Sequence, residues 1–372
     1  MPRAETAAHR VSQLWLLQGP PGQGRRRGIA ITTIAVDGMG GDLAPASVVA
    51  GALQAVRRHG MAVVLTGPAD VLREHLNQLG GASGLPLTIV DAPQAVAMDE
   101  SPLAAHRRKP DSSVRVATSL VARGEAHALF SAGHTGATFL AARAAFGVMA
   151  GVDRPALAVT VPTRAGAAIL VDAGANIDCT ARQLCQFGVM GAAYARLALN
   201  ARHPKVGLLS IGEEAGKGTD LIREAHELLS QAPVEFLGNL EAREFFSGRA
   251  DVIVCDGFAG NIALKVGEGL VELAQEMVRE ELGVELVSQI GGLLTRRAFA
   301  RFKQRVDYAE TGGAPVLGLD HLAMVGHGRS SAVAVENGIR TAARLVDQRI
   351  VQRMTEILAP QTGQGAEGTR LR

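Results

Sequence analysis

The chain has 372 residues, which at about 150 residues per domain suits two domains or one large two-lobed one. Its 47% hydrophobic and 20% charged residues exclude a wholly disordered chain, and no apolar run approaches the ~18 residues of a membrane-spanning helix. Lysine plus arginine number 38 against 36 acids, and the first 28 residues alone hold Arg3, Arg10, Arg25, Arg26 and Arg27 against Glu5, so the near-neutral body points away from nucleic-acid binding. The three cysteines, Cys179, Cys185 and Cys255, form no C-x-x-C pair, which excludes a disulfide scaffold or a Cys-rich zinc site and suits a reducing cytoplasm.

Residues 1–28 are expected to be a disordered leader. Val11–Leu17 is too short and interrupted for a signal-peptide core, and Gly19-Pro20-Pro21-Gly22 is linker-like, although an arginine-rich start also imitates a transit peptide. A single large α/β domain is expected over 29–357, with a disordered tail over 358–372. Strands are expected at Ile31–Val36, Ala62–Thr66, Leu87–Val90, Ala128–Ser131, Ala156–Val161, Ala168–Val171, Val206–Ile211 and Val252–Cys255. Most are continuously apolar, the pattern of parallel strands covered on both faces. Between them, helices are expected at Ala46–His59, Ser112–Ala122, Thr135–Ala145, Cys179–Leu199, Thr219–Leu229 and about Asn261–Leu282. That alternation predicts a doubly wound, mostly parallel sheet in an α/β/α sandwich, with ligands beyond the carboxyl ends of its strands.

Those ends carry glycine beside polar groups: Asp37-Gly38-Met39-Gly40-Gly41-Asp42, Ala132-Gly133-His134-Thr135-Gly136, Asp172-Ala173-Gly174-Ala175-Asn176, Gly212–Thr219 and Asp256–Asn261, with Gly326-His327-Gly328 near the end. Glycine lets backbone N–H groups turn toward a ligand, and a following helix offers its positive end to an anion. Any one loop reads more readily as a structural turn; five on one edge predict a phosphate or carboxylate site. Named fingerprints fail. There is no G-x-G-x-x-G, Gly212–Thr219 lacks P-loop spacing, Gly207–Gly212 is one residue off a nucleophile elbow, and no metal-ligand spacing occurs. Only five lysines stand against 33 arginines, which marks Lys217 and Lys265, in or just after glycine loops, as candidate ammonium donors, with chance as the alternative. Cys255 reads either as a thioester-forming nucleophile or as a small buried strand residue.

The ordered motifs Ala35–Pro45, Lys109-Pro110-Asp111-Ser112-Ser113, Ser131–Ala137, Asp153-Arg154-Pro155-Ala156, Asp172–Asp178, Gln186-Phe187, Gly212–Gly218, Asp256–Lys265 and Gly312–Leu319 resemble the acyl-carrier-protein:phosphate acyltransferases of bacterial phospholipid synthesis. The resemblance covers about residues 29–345. His134 departs from the family's usual Asn, and Gly38 from its usual Ala. Asp256, Gly260, Asn261 and Lys265 also look like the D-x3-G-N-x3-K element of phosphotransacetylases, and the fold is expected to be similar to theirs and to that of isopropylmalate-type dehydrogenases.

The resemblance implies a homodimeric enzyme, without metal or cofactor, that converts acyl carrier protein bearing an acyl group and inorganic phosphate into acyl phosphate. Its product would feed a membrane glycerol-3-phosphate acyltransferase, placing the enzyme in the cytoplasm and at the membrane periphery. Lys217 is expected to clamp phosphate, Asp256 to orient phosphate or act as base, and Asn261 to donate to the oxyanion. Phosphate or substrate contacts are expected from Asp37, Gly40, Gly41, Asp42, Gly133, His134, Thr135, Gly136, Asp172, Asn176, Gly212, Glu213, Lys265 and His327; for Asp37 and Asp42, ordering the first loop is the favoured role. The acidic carrier is expected on Arg107-Arg108-Lys109 or on the cluster Arg296, Arg297, Arg301, Lys303 and Arg305, with a solvated face as the alternative. That second cluster adjoins Leu286, Ile290, Leu293 and Leu294, a basic amphipathic segment over about 270–306 suited to an anionic membrane surface or to packing across a dimer. A phosphotransacetylase acting on coenzyme A thioesters is the nearest rival, followed by a nicotinamide-dependent dehydrogenase and a non-catalytic scaffold.

Overall fold

The computed structural model describes residues 31–284, 297 and 312–358. The leader, the tail beyond Leu358 and most of the basic segment lie outside the described residues. In chain order the elements are β1 (Thr33–Asp37), α1 (Ala46–His59), β2 (Ala62–Gly67), α2 (Ala69–Gln78), β3 (Leu87–Asp91), α3 (Pro102–Arg108), α4 (Ser113–Ala122), β4 (Ala128–Ser131), α5 (Thr135–Phe146), β5 (Ala156–Thr163), β6 (Gly166–Val171), α6 (Ala181–Ala198), β7 (Lys205–Ser210), α7 (Asp220–Gln231), β8 (Glu235–Glu241), β9 (Val252–Val254), α8 (Gly257–Val284), β10 (Ala314–Leu317), β11 (Leu322–Val325), α9 (Ala332–Asp347) and α10 (Ile350–Leu358). The fold class is the expected one, mixed α/β with a large mostly parallel sheet. The described residues divide into two compact units, one running to Ala141 with Val325–Ala343, the other comprising Ala142–Met324 and the residues from Arg344.

In the first unit the strand order is β3-β2-β1-β4, every pair parallel. Ile34, Ala35 and Val36 have no exposed surface, because a strand covered on both faces must be apolar at every position. Helix α1 buries Val48, Val49, Leu53 and Val56 on one stripe and stops where Gly60, at φ 70°, turns left-handed and returns its N–H to the Val56 carbonyl. The chain leaves β1 toward β2 on one side and comes back on the other as β4. The strand order therefore reverses between β1 and β4, and Asp37 and Ser131, at their carboxyl ends, border the place where open α/β sheets take ligands.

The second unit carries β10-β5-β6-β9-β7-β8, in which β6, β9, β7 and β8 run parallel. The expectation of parallel strands fails at β5 and β6. They form an antiparallel hairpin, and β10 also pairs antiparallel with β5. Only Arg164 and Ala165 separate β5 from β6, far short of a crossover; apolar continuity reports burial on both faces, not direction. Helix α6 opens on a capping box, Thr180 Oγ1 accepting from Gln183 N while Gln183 Oε1 accepts from Thr180 N, and packs Leu184, Phe187 and Met190 at zero exposure on β6 and β9. Each such side chain contributes about 1.5–3 kcal/mol by leaving water.

Candidate functional site

In the first unit, Asp37 is 4% exposed; its Oδ2 accepts from Ser131 Oγ at 2.8 Å and its Oδ1 from Met39 N at 3.3 Å. Burial pushes its pKa above the ordinary carboxylate value, against the opposing hydrogen bonds of Ser113, Ser131 and Met39. Ser131 Oγ in turn accepts from Gly133 N at 3.2 Å and Thr138 Oγ1 at 3.1 Å, closing a buried polar knot that joins the loops after β1 and β4. Those loops touch backbone to backbone at Gly40, where a Cβ would fall 2.6 Å from Asp37 Oδ2 and 2.8 Å from Gly133 N. Asp42 N donates to the Gly328 carbonyl at 2.8 Å, and Gly41 lies beside the same oxygen, so the His327–Gly328 turn closes on the first loop. His134 is the N-cap of α5. Its Nδ1 accepts from Gly136 N at 3.1 Å, which places the neutral ring's proton on Nε2. The structure thus gathers Asp37, Gly40, Gly41, Asp42, Gly133 and the His327 turn, with His134, Thr135 and Gly136 just beyond in the first turn of α5.

In the second unit, β6, β9 and β7 are parallel neighbours, so their following loops leave from one edge. Asp172 has no exposed surface. Its Oδ1 accepts from the backbone N–H groups of Leu157, Gly174 and Ala175 at 3.0–3.2 Å, and its Oδ2 from Asn176 N at 2.7 Å and Asn176 Nδ2 at 2.8 Å. Burial raises its pKa against the pull of those donors. Asn176 Nδ2 also reaches the Pro155 carbonyl at 2.8 Å, and the Asn176 carbonyl accepts from Gly257 N at 2.7 Å, which ties the β6 loop to the start of α8. Asp256 caps that helix, its Oδ1 accepting from Ala259 N at 2.7 Å. The expected glycine loop Asp256–Asn261 is therefore the first turn of α8, because this cap lets helical geometry begin at Gly257. Asn261 leans on Gly174, whose Cβ would sit 3.4 Å from that of Asn261. Lys265 is one turn further along α8, in an ion pair with Glu268 at 2.7 Å.

The loop after β7 is built differently. The Glu214 carbonyl accepts from Lys217 N at 3.0 Å and from Asn239 Nδ2 at 2.8 Å. The exposed Lys217 lays its stem over Gly212, where a Cβ would meet Lys217 Cγ at 2.9 Å. Glu213 lies 3.5 Å from both Arg243 Nη2 and Arg249 Nη1. Cys255 is buried, donates to the Asp172 carbonyl at 3.6 Å, and has its pKa pushed well up by burial and by the neighbouring carboxylates, the opposite of what a thiolate nucleophile needs. Among the described residues no three His, Cys, Asp or Glu side chains are grouped as metal ligands.

Residues 32–353 match the family described as fatty acid synthesis protein. The chain is 48% identical over 318 residues to the phosphate acyltransferase of Desulforudis audaxviator, covering 86% of this chain and 93% of that one. It is 47% identical over 324 residues to the phosphate acyltransferase of Acidobacterium capsulatum, covering 87% and 96%. The chain belongs to the phosphate acyltransferase family. In fold it is similar to a phosphotransacetylase from Streptococcus pyogenes (TM-score 0.60, 18% identity, 92% of this chain and 99% of that one) and to one from Staphylococcus aureus (TM-score 0.57, 18% identity, 85% and 94%).

Of the two expected carrier-docking clusters, Arg107 and Arg108 are exposed, whereas Lys109 is tied to the Ala95 carbonyl at 2.7 Å and to Glu100 at 2.6 Å. In the second cluster only Arg297 is among the described residues, where it is exposed. The pattern reading missed Ser131 as the partner of Asp37, with Thr138 donating to Ser131 in turn, and Asn239 as the support of the β7 loop. Asn239 carried no clear signal, because Gly238-Asn239 within Glu235–Glu241 reads as a turn rather than as part of a strand. The reading also missed four large apolar side chains left in solvent beside the polar loops of the second unit, Ile177, Ile211, Phe258 and Ile262, at 67, 82, 60 and 48% exposure.

Proposed function

We propose that this enzyme transfers a fatty acyl group from acyl carrier protein to inorganic phosphate. A phosphate oxygen attacks the thioester carbonyl carbon, the C–S bond breaks, and the carrier's thiolate takes up the proton given up by phosphate, leaving acyl phosphate and free carrier. The single observation that carries the reading is the family membership, at 44–48% identity to phosphate acyltransferases over nearly their whole length.

The geometry supports it. In the second unit, Lys217 is the charged clamp for phosphate, Asp256 orients the anion at the start of α8, and Asn261 donates to the oxyanion. Asp172 and Asn176 hold the loop on which Asn261 leans. Ile177, Ile211, Phe258 and Ile262 are the apolar surface beside these groups that a fatty chain wants. In the first unit, the backbone N–H groups of Gly133–Gly136 at the head of α5 form an anion-receiving turn, with Asp37 and Asp42 ordering the loop beside it.

In this reading the enzyme is a homodimer whose product passes to a glycerol-3-phosphate acyltransferase at an anionic membrane surface. What supports such contacts is one face of α8, where Phe258, Ile262, Val266, Leu270, Leu273 and Met277 are all at least 48% exposed at spacings of three and four residues. Among the described residues no helix is long and apolar enough to cross a membrane.

The test is acyl phosphate formation by the purified protein with inorganic phosphate and either acyl carrier protein or coenzyme A as the acyl donor. The carrier is expected to support product and coenzyme A not; the reverse result replaces this reading with that of a phosphotransacetylase. Lys217→Ala is expected to raise the phosphate KM by about 10-fold or more, the worth of one charge-assisted hydrogen bond.

A further inference from the structure

The Glu214 carbonyl accepts two hydrogen bonds at once. One comes from Lys217 N at 3.0 Å, closing the turn that sets where the lysine leaves the backbone. The other comes from Asn239 Nδ2 at 2.8 Å, rising from the floor of β8. Asn239 is 3% exposed, and its Oδ1 lies 3.0 Å from Nδ1 of His226 on α7. The polarity of this chain is determined: since Nδ2 donates to a carbonyl, Oδ1 must accept, so His226 carries its proton on Nδ1. The imidazole is itself steadied edge-on by Phe236, with ring centroids 5.0 Å apart and planes at 74°. Two secondary-structure elements therefore converge on one loop carbonyl through a buried amide. Elsewhere on this stretch, Arg223 Nη1 donates to the Gly218 carbonyl at 2.9 Å, just beyond the lysine, while Glu213 with Arg243 and Arg249 spans 3.5 Å between groups 44–74% exposed and contributes little.

We propose that Asn239, oriented by His226, is a positioning residue that holds Lys217 where it meets the phosphate anion. A buried amide suits the task because its donor and acceptor are both satisfied only in one orientation. An apolar residue at 239 leaves the Glu214 carbonyl with the weaker turn bond alone, and the loop, with glycines at 212, 216 and 218, is then free to spread the lysine over several positions. The inference rests on the reading of Lys217 as the phosphate clamp.

The experiment is a double-mutant cycle on initial rates of acyl phosphate formation, with inorganic phosphate as the varied substrate. Asn239→Leu keeps the number and branching of side-chain heavy atoms while removing the amide, and is expected to raise the phosphate KM by about 5- to 10-fold, the loss of one buried hydrogen bond, while the KM for acyl carrier protein stays within twofold. In the Lys217→Ala background the same change is expected to have no further effect on the phosphate KM. His226→Phe keeps the ring against Phe236 but removes the donor to Asn239, and is expected to shift the phosphate KM in the same direction by a smaller factor; it serves where Asn239→Leu folds poorly. Equal effects of Asn239→Leu with and without Lys217 overturn the proposal, as does a phosphate KM that neither Asn239→Leu nor His226→Phe moves while Lys217→Ala raises it. A phosphate KM unmoved by Lys217→Ala alone instead removes the clamp reading on which it stands.

Discussion

Two glycines on α8 offer an internally controlled test of how the site is held. In a helix interior, glycine to alanine ordinarily stabilises by about 0.5–1 kcal/mol, because alanine has less backbone freedom to lose. Gly269 is exposed with nothing within 4 Å of an added Cβ, so Gly269→Ala is expected to show that gain. Gly260 faces the opposite circumstance. An added Cβ would lie 1.9 Å from the Asp172 carbonyl oxygen and 2.9 Å from Cys255 Sγ. Real Cβ contacts stay beyond 3.0 Å, so the helix start and the β6 loop must separate by at least about 1.1 Å. That movement loosens the Gly257 N to Asn176 carbonyl bond of 2.7 Å and the contact of Gly174 with Asn261. Overpacking of this kind costs about 1–3 kcal/mol and more when backbone must give, against the propensity gain of under 1. Gly260→Ala is therefore expected to destabilise by about 2 kcal/mol or more, lowering Tm by about 4–8 °C, where Gly269→Ala raises it by about 2 °C. Thermal unfolding followed by circular dichroism, with acyl phosphate assays on both variants, gives the comparison. Activity should survive at 269 and fall at least tenfold at 260. Similar Tm changes for the two variants would refute the close-packed junction between α8 and the β6 loop.

Because burial holds the Asp37 pKa above its ordinary 3.8, the folded chain binds this proton more tightly than the unfolded chain does. The associated stability is present at low pH and is lost as pH rises from about 3.9 through the raised value, at about 1.4 kcal/mol for every tenfold by which folding tightens the proton. Denaturant midpoints of Asp37→Asn and the parent between pH 4 and 8 should therefore converge or cross in the variant's favour as pH rises; a constant gap, or one that widens in favour of the parent, contradicts that sign. At the head of α5, an Asn in place of His134 presents Oδ1 to Gly136 N as the imidazole Nδ1 does. His134→Asn should therefore unfold within about 0.5 kcal/mol of the parent, while His134→Ala loses about 1 kcal/mol, and equal losses from both in urea melts would mean that the cap bond contributes nothing.

Much of the architecture was legible in the chain because burial on both faces writes itself as unbroken apolar runs. Ile34–Val36, Ala128–Phe130 and Val252–Val254 all lie where those runs predict, and Ala46–His59 matches its helix end to end, closed by Gly60. Direction is not written in such a run, which is why β5 and β6 read as parallel members; the short gap between the expected strands, Pro162–Ala167, too brief for a crossover, was the overlooked sign. Some of the elements that went unread have another cause. β8 is a half-exposed strand carrying Glu235, Asn239 and Glu241, β10 and β11 are four residues each, and α2 is largely polar, with Leu72 and Leu76 as its buried residues, so none makes a strong periodic signal.

The candidate site divides along the same line. Position at a strand end is a property of one segment, and it picked out Asp37, Asp172 and Asp256 from the sequence. What each carboxylate faces is a property of two or three segments at once: Asp37 meets Ser131 from ninety-four residues away, and Asp172 meets Leu157 across the β5–β6 hairpin. The same holds for Asn239, whose importance to the β7 loop follows from a carbonyl twenty-five residues upstream in the chain. Lys217 was singled out because lysine is rare here, yet its placement depends on that carbonyl, so a scarce residue type and a buried amide on a neighbouring strand have to be read together. Glycine gives the clearest case. Gly260, expected in the loop ahead of the helix, and Gly269 both fall within α8, and the Asp172 carbonyl beside the first of them is the physical reason that one is site-forming while alanine would improve the other.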